Sequence, residues 1–164
     1  MTTHGSTPGP DDERASSLDD SEVLAEIYKQ RFSPTELEAK QVVWRTLCSS
    51  FFQRYVKPTD TVLDLGAGSC EFINHIVAGR KLAVDLNPAT AEHAQDAEVM
   101  LVPSTDMAPI ADGTVDVVFT SNFFEHLPDK RALLRTLAEC KRVLRPGGRL
   151  LVLMPNLRYV GQRY

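Results

Sequence analysis

The spacing of hydrophobic and polar positions changes repeatedly along this chain, and the changes mark out an alternating series of helices and strands. Residues 21–32 place Val23, Leu24, Ile27 and Tyr28 on one helical face. Ser33-Pro34-Thr35-Glu36 is a start signal for a second helix, with Ser33 as cap, Pro34 in the first turn and Glu36 completing a capping box. Beyond it Trp44, Leu47, Cys48, Phe51, Phe52 and Tyr55 recur at helical spacing. Such a stripe is core contact against a sheet; the sharper alternative is an aromatic wall for a substrate.

From residue 61 onward, short apolar runs of strand length alternate with helical patterns. The strands fall at 61–65, 81–85 (KLAVD), 98–102, 115–120 (VDVVFT) and 149–154 (RLLVLM). Helices are predicted over 70–78, ending at Gly79, over 88–94, and over 129–144 with Leu133, Leu137, Cys140 and Leu144 on one stripe. Turns are marked at residues 57–60, at Asp112-Gly113 and at Arg145-Pro146-Gly147-Gly148. Strands separated by helices, with nearly unbroken apolar runs, predict an α/β fold with a parallel sheet covered on both faces.

Composition limits the picture without redirecting it. A chain of 164 residues suits one domain with a real core, and 43% hydrophobic with 24% charged residues is ordinary for a soluble globular protein. The organisation expected is a disordered tail over 1–20, N-terminal helices over 21–57 that pack on the domain, and the main domain over 58–164. The tail is rich in Ser, Thr, Pro, Gly and acid, too polar to offset its ordering entropy. A net charge of −4 gives no reason to expect nucleic acid as a partner. No apolar run is long enough to span a bilayer and the N-terminus is polar, so neither a membrane helix nor a signal peptide is predicted. Three scattered cysteines, Cys48, Cys70 and Cys140, read as buried thiols in a reducing compartment, by default the cytoplasm.

The candidate chemistry gathers at one end of the sheet. In TVLDLGAGSCEF (61–72) a strand breaks at Gly66-Ala67-Gly68 and a helix follows, which presents backbone N–H groups to an anion or lets a ligand approach the chain closely. Ligands of parallel sheets bind beyond the carboxyl ends of the strands. Asp85 ends the second strand where a carboxylate can accept from both hydroxyls of a ribose; its alternative is a turn-forming Asp before Asn87-Pro88. Asp106 follows the third strand, and Ser121, Asn122, Glu125 and His126 follow the fourth.

Together these residues resemble a class I S-adenosylmethionine-dependent methyltransferase of the small, Rossmann-like kind. The matching stretches are VLDLGAGS (62–69), AVDLNP (83–88), Asp106-Met107 with ADGTVDVVFTSNFFEHLPD (111–129), and LRPGG (144–148) with LLVLMPN (150–156). The resemblance implies five parallel strands in the order 3-2-1-4-5, with further terminal strands of the family missing. It implies S-adenosyl-L-methionine as cofactor and a small-molecule acceptor. By position, Asp64 would lie near the methionine amino group, Gly66, Ala67 and Gly68 would leave room for the methionine moiety, and Asp85 would hold the ribose. Leu86 and Met107 would pack on the adenine, Asp106 would meet its amino group, and Ser121 and Asn122 would line the floor near the sulfonium. Cys70 stands where the family often has a third glycine, a position that tolerates a small side chain if it begins the helix.

His126 is the nearest candidate base for an acceptor that must lose a proton; the alternative is that EHLPD caps the next helix. A metal reading of Glu125 and His126 lacks a second acid, since Asn122 stands there. His75 and His93 carry no partner pattern. Family members continue past the fifth strand, so the chain reads as a fragment, or as one completed by a partner. The fifth strand is then an exposed edge, and self-association through it is expected. Two other classes stay open: a non-catalytic S-adenosylmethionine-binding module and an NAD-dependent oxidoreductase.

Overall fold

A computed structural model describes residues 34–156; the tail, the helix expected over 21–32 and residues 157–164 lie outside the described part. The chain enters on α1 (Pro34–Ser50), followed by a 3-10 turn at Phe52–Arg54. It then alternates through β1 (Thr61–Leu65), α2 (Glu71–His75), β2 (Arg80–Val84), α3 (Thr90–His93) and β3 (Glu98–Met100). After a long connection come β4 (Val115–Ser121), a 3-10 turn at Phe124–His126, α4 (Lys130–Val143) and β5 (Leu144–Leu153). The five strands form one sheet, parallel as the alternation predicted, in the order β3-β2-β1-β4-β5 that the resemblance implied.

Each face of the sheet has its own apolar layer. On one, Val62, Ala83, Val117 and Phe119 pack against Cys48 and Phe52 from the α1 side and against Phe72 and Ile73 of α2. Phe72 stacks on Phe119 with ring centroids 3.6 Å apart, Phe52 meets both edge-on, and Trp44 adds an edge contact to Phe119. The aromatic stripe is therefore core at Trp44, Leu47, Cys48 and Phe52, while Phe51 and Tyr55 remain exposed. On the other face, Leu63, Leu65, Leu82, Val84 and Val118 pack against Cys140 and Val143 of α4.

Three local expectations are corrected. The helix after the glycines stops at His75, because residues beyond it are pulled into extended backbone: Gln53 bonds both the N–H and the C=O of Val77, and the Gly79 and Arg80 N–H groups bond Asp60 O. On α4 the fully buried positions are Thr136, Cys140 and Val143, and Leu133, Leu137 and Leu144 are only half-buried. The buried face centres on Cys140 and Val143, packed in the core, and the buried Thr136 hydroxyl is satisfied by that of Ser104, 2.8 Å away on the connection after β3. Finally, the turn at residues 145–148 does not precede β5 but bulges out of it. Leu144 already pairs with Val115, and pairing resumes at Arg149 opposite Val117. Gly147 adopts φ +79° there, and a side chain at Gly148 would strike two backbone carbonyls at 3.0 Å.

Candidate functional site

The carboxyl end of the sheet is built around the break after β1. Gly66 (φ +72°) and Gly68 (φ +51°) turn the chain in the left-handed region, and the Gly66 and Ala67 N–H groups both bond Val84 O at the end of β2. Thr120 Oγ1 donates to Leu65 O and ties β4 to the same point. Cys70, which caps α2, also has positive φ (+60°). The position is thus strained for a side chain, and the buried thiol sits there with its sulfur 3.6 Å from Thr90 O. Burial pushes the Cys48 and Cys70 thiols up to about 12 and Cys140 to about 11, so all three are held protonated.

Asp85 stands immediately beyond β2. One carboxylate oxygen accepts from Gly68 N at 2.8 Å and the other from Asn87 N at 2.8 Å. Its turn-forming role and its place beside the glycine loop therefore coexist. A carboxylate has about four acceptor sites, so two backbone bonds leave capacity for hydroxyl donors. A side chain at Gly66 would come within 2.4 Å of the Phe123 ring, whereas one at Gly68 would meet nothing within 4 Å. The open side of the loop is at Gly68.

A cavity of about 630 Å3 opens here. Leu65 and Gly66 from the end of β1 border it, with Val84, Asp85 and Leu86 from β2 and residues 102–105 after β3. The rest of its lining is Phe123, His126 and Leu127 after β4, with Phe123 against Gly66, then the first two turns of α4 with Arg131 and Arg135. The volume falls within the range of small-molecule sites.

The structure brings some sequence-predicted residues together and separates others. Gly66, Asp85, Leu86 and His126 share the cavity, and Leu86 is 69% exposed. Asp64 is 3% exposed and lies beneath the loop on the α1–α2 face. Its carboxyl is pushed up to about 8, first by loss of hydration and next by the charge of Glu71; the Ile73 N–H opposes the shift and Asp85 adds to it. Ala67 is likewise buried. Met107 is not presented to the cavity: it is fully buried in the α4-side core, its N–H donating to Glu139 Oε2 at 2.7 Å and its C=O accepting from Arg142. Asp106 is exposed but outside the cavity lining. Ser121 and Asn122 also fall outside it; Asn122 (φ +47°) donates its N–H to Leu153 O and its side-chain amide to Ser121 Oγ.

His126 ends a 3-10 turn, exposed, with no hydrogen-bonding partner for its imidazole among the described residues. The capping alternative holds at Asp129, whose Oδ1 accepts from Ala132 N at 2.7 Å. Among the described residues no group of three or more His, Cys, Asp or Glu is placed to hold a metal. Sequence reasoning missed Phe123, Arg131 and Arg135. The arginines carried a readable signal, two cations four apart on a predicted helix; Phe123 had none beyond its place after β4.

Comparison with known proteins agrees with this geometry. A family model described as a methyltransferase domain matches residues 63–152. A sarcosine/dimethylglycine N-methyltransferase of Halorhodospira halochloris is 33% identical over 143 residues, covering 79% of this chain and 48% of that protein. A malonyl-(acyl-carrier protein) O-methyltransferase of Methylococcus capsulatus is 37% identical over 103 residues, covering 57% of this chain and 36% of its own length. The chain thus spans about a third to a half of the length of these curated relatives. A crystal structure of a SAM-dependent methyltransferase from Archaeoglobus fulgidus has the same fold, with TM-score 0.62 and 23% identity over 82% of this chain and 59% of that one. Strand order, glycine loop and matched residues lead to one assignment: the chain belongs to the methyltransferase domain family, with the Rossmann-like fold of class I S-adenosylmethionine-dependent methyltransferases.

Proposed function

We propose that this chain is the cofactor-binding part of an S-adenosylmethionine-dependent methyltransferase acting on a small-molecule acceptor. The observation that carries the reading is the Asp85 carboxylate, bonded to Gly68 N–H at the border of a cavity large enough for a nucleoside. The residues present fit the cofactor. Gly68 faces open space, Asp85 keeps acceptor capacity for ribose hydroxyls, and the exposed Leu86 offers an apolar surface to an adenine. Asp64 would act from below the loop, and Asp106, Ser121 and Asn122 from the strand-end loops around the cavity; Met107, sealed in the core, would support the cavity wall without touching the adenine.

S-adenosylmethionine supplies a methyl group already activated on a sulfonium. What the chain's own residues must do is hold an acceptor in line and keep water out. His126 borders the cavity with an unpartnered imidazole, the position required of a base that takes a proton from a hydroxyl or amine acceptor. Two relatives are named for sarcosine/dimethylglycine and for malonyl-(acyl-carrier protein), which supports a small acceptor or small acceptor group over a nucleic acid.

Three protonated buried thiols suit the cytoplasm, and no helix among the described residues is long and apolar enough to cross a membrane. The outer edge of β5 has no strand partner among the described residues, and Val152 and Leu153 on β5 and Met154 just beyond it are exposed, which supports self-association. Light scattering of the 164-residue chain tests this, and a monomer at high concentration would refute it.

Calorimetric titration with S-adenosylhomocysteine tests the main reading. Asp85→Ala removes charge-assisted acceptors worth about 1.5–3 kcal/mol, an affinity loss of roughly tenfold or more. Unchanged affinity in that variant would remove Asp85 from the site, and no binding by the wild type would remove the cofactor.

A further inference from the structure

The lining of the cavity carries a charge pattern to which the cofactor reading above assigns no role. Arg131 and Arg135 lie four apart on the first two turns of α4, and both border the cavity. Neither guanidinium has a hydrogen-bonding or ion-pair partner among the described residues, whereas Arg142 and Arg145 nearby are each paired with carboxylates. Like charges at this spacing on a helix repel by a few tenths of a kcal/mol, so the pair is not there for the helix's own stability. The two carboxylates bordering the cavity do not neutralise them: Asp85 bonds Gly68 and Asn87, and Asp129 caps α4. Around these cations the surface is apolar, from Val102, Pro103, Phe123, Leu127 and Pro128.

We propose that this end of the cavity selects the acceptor, and that the acceptor is an organic anion with an apolar body, its carboxylate or phosphate held by Arg131 and Arg135. The inference rests on the methyltransferase reading above. Guanidinium groups bind both anions through paired, parallel N–H···O bonds, and Arg131 and Arg135 are both exposed and free to turn toward one. The apolar body then lies on Leu127 and Val102, between the cations and the glycine loop. His126 borders the same cavity. The two guanidinium groups are specificity residues; they hold the far end of the acceptor and take no part in the proton or methyl transfer.

The test uses three probes of one shape, 2-naphthoate, 2-naphthyl phosphate and 2-naphthamide, titrated into the 164-residue chain saturated with S-adenosylhomocysteine. At least one anion should bind tenfold or more tighter than the neutral amide, and the tighter of the two says whether the group is a carboxylate or a phosphate. The double variant Arg131→Gln/Arg135→Gln should erase the preference and leave S-adenosylhomocysteine affinity unchanged. A control, Arg45→Gln/Lys141→Gln, removes the same charge elsewhere and should keep it. Equal binding of all three probes by the wild type overturns the proposal, as does a preference that survives in the double variant. Expulsion of the anion by S-adenosylhomocysteine overturns its assignment to the acceptor. An arginine-dependent preference in a chain that fails to bind S-adenosylhomocysteine would instead retain the anion site and remove the cofactor reading.

Discussion

Replacing Asp64 by Asn tests whether the end of β1 buries a carboxyl group in its neutral form. The side chain is 3% exposed, and its carboxyl is pushed up to about 8, mainly by loss of hydration and then by Glu71. In the unfolded chain an aspartate titrates near 3.9. The folded protein therefore holds this proton more tightly, and between about pH 4 and pH 8 the folded state binds more protons than the unfolded one. Stability from this group is fully present below about pH 4, falls as pH rises through the window, and levels off above about pH 8. Each pH unit inside the window is worth about 1.4 kcal/mol, so the interval from pH 5 to pH 7 removes about 3 kcal/mol. That is a large part of the 5–15 kcal/mol that typically holds a domain together. Asparagine keeps an acceptor for the Ile73 N–H and cannot ionise. Asp64→Asn should thus gain on the wild type as pH rises, by about 3 kcal/mol between pH 5 and pH 7. Urea unfolding of both proteins at pH 5, 6, 7 and 8, followed by circular dichroism, measures the difference. A difference that is constant with pH, or that shrinks as pH rises, would refute a neutral buried Asp64.

Two further outcomes separate the roles of residues in the loop. Gly66→Val drives a side chain into the Phe123 ring at 2.4 Å, while Gly68→Val meets nothing within 4 Å and carries only backbone strain. Both should lose S-adenosylhomocysteine binding, but Gly66→Val should have the lower urea midpoint; wild-type affinity in a folded Gly68→Val would sink the cofactor loop. Cys70→Gly relieves a left-handed backbone worth about 1–2 kcal/mol and gives up a buried thiol of similar worth, so its stability should stay within about 1 kcal/mol of wild type. Cys70→Val, branched at the same angle, should lose more than about 2 kcal/mol, and equal midpoints for the two variants would show that Cys70 is unstrained.

The parallel sheet and the end of it that carries the site were legible from one-dimensional signals, while the order of its strands came from the family resemblance. Runs such as TVLDL and VDVVF have the length and continuity of strands buried on both faces, and the breaks at Gly66 and Asp85 follow the ends of β1 and β2; RLLVLM reads the same way, yet Val152, Leu153 and Met154 are exposed. What the sequence could not show is which way a residue faces once neighbouring elements are in place. Of the apolar stripe Leu133, Leu137, Cys140 and Leu144, α4 fully buries only Cys140, together with Val143 and a Thr136 whose hydroxyl is satisfied by Ser104. Met107 follows Asp106 directly, but Glu139 and Arg142 grip its backbone and turn its side chain into the core while Asp106 stays outside.

The same limit applies to the site. Asp64, Asp85 and Asp106 look alike in sequence as acids at successive strand ends, and the structure gives them three different environments. Asp64 is sealed beneath the loop, Asp85 is bonded to it at the cavity border, and Asp106 is exposed outside the lining. Only Asp85 combines access with preorganisation by two backbone N–H groups, so it is the one on which the cofactor reading should stand or fall. Arg131 and Arg135 reverse the case. Their spacing looks like an ordinary solvated helix face until β4 and its 3-10 turn carry α4 across the mouth of the cavity. Arg131 and Arg135 line the same cavity as Asp85, so under the proposed reading a ligand pair that filled it would bring hydroxyl donors to Asp85 and an anion to the arginines.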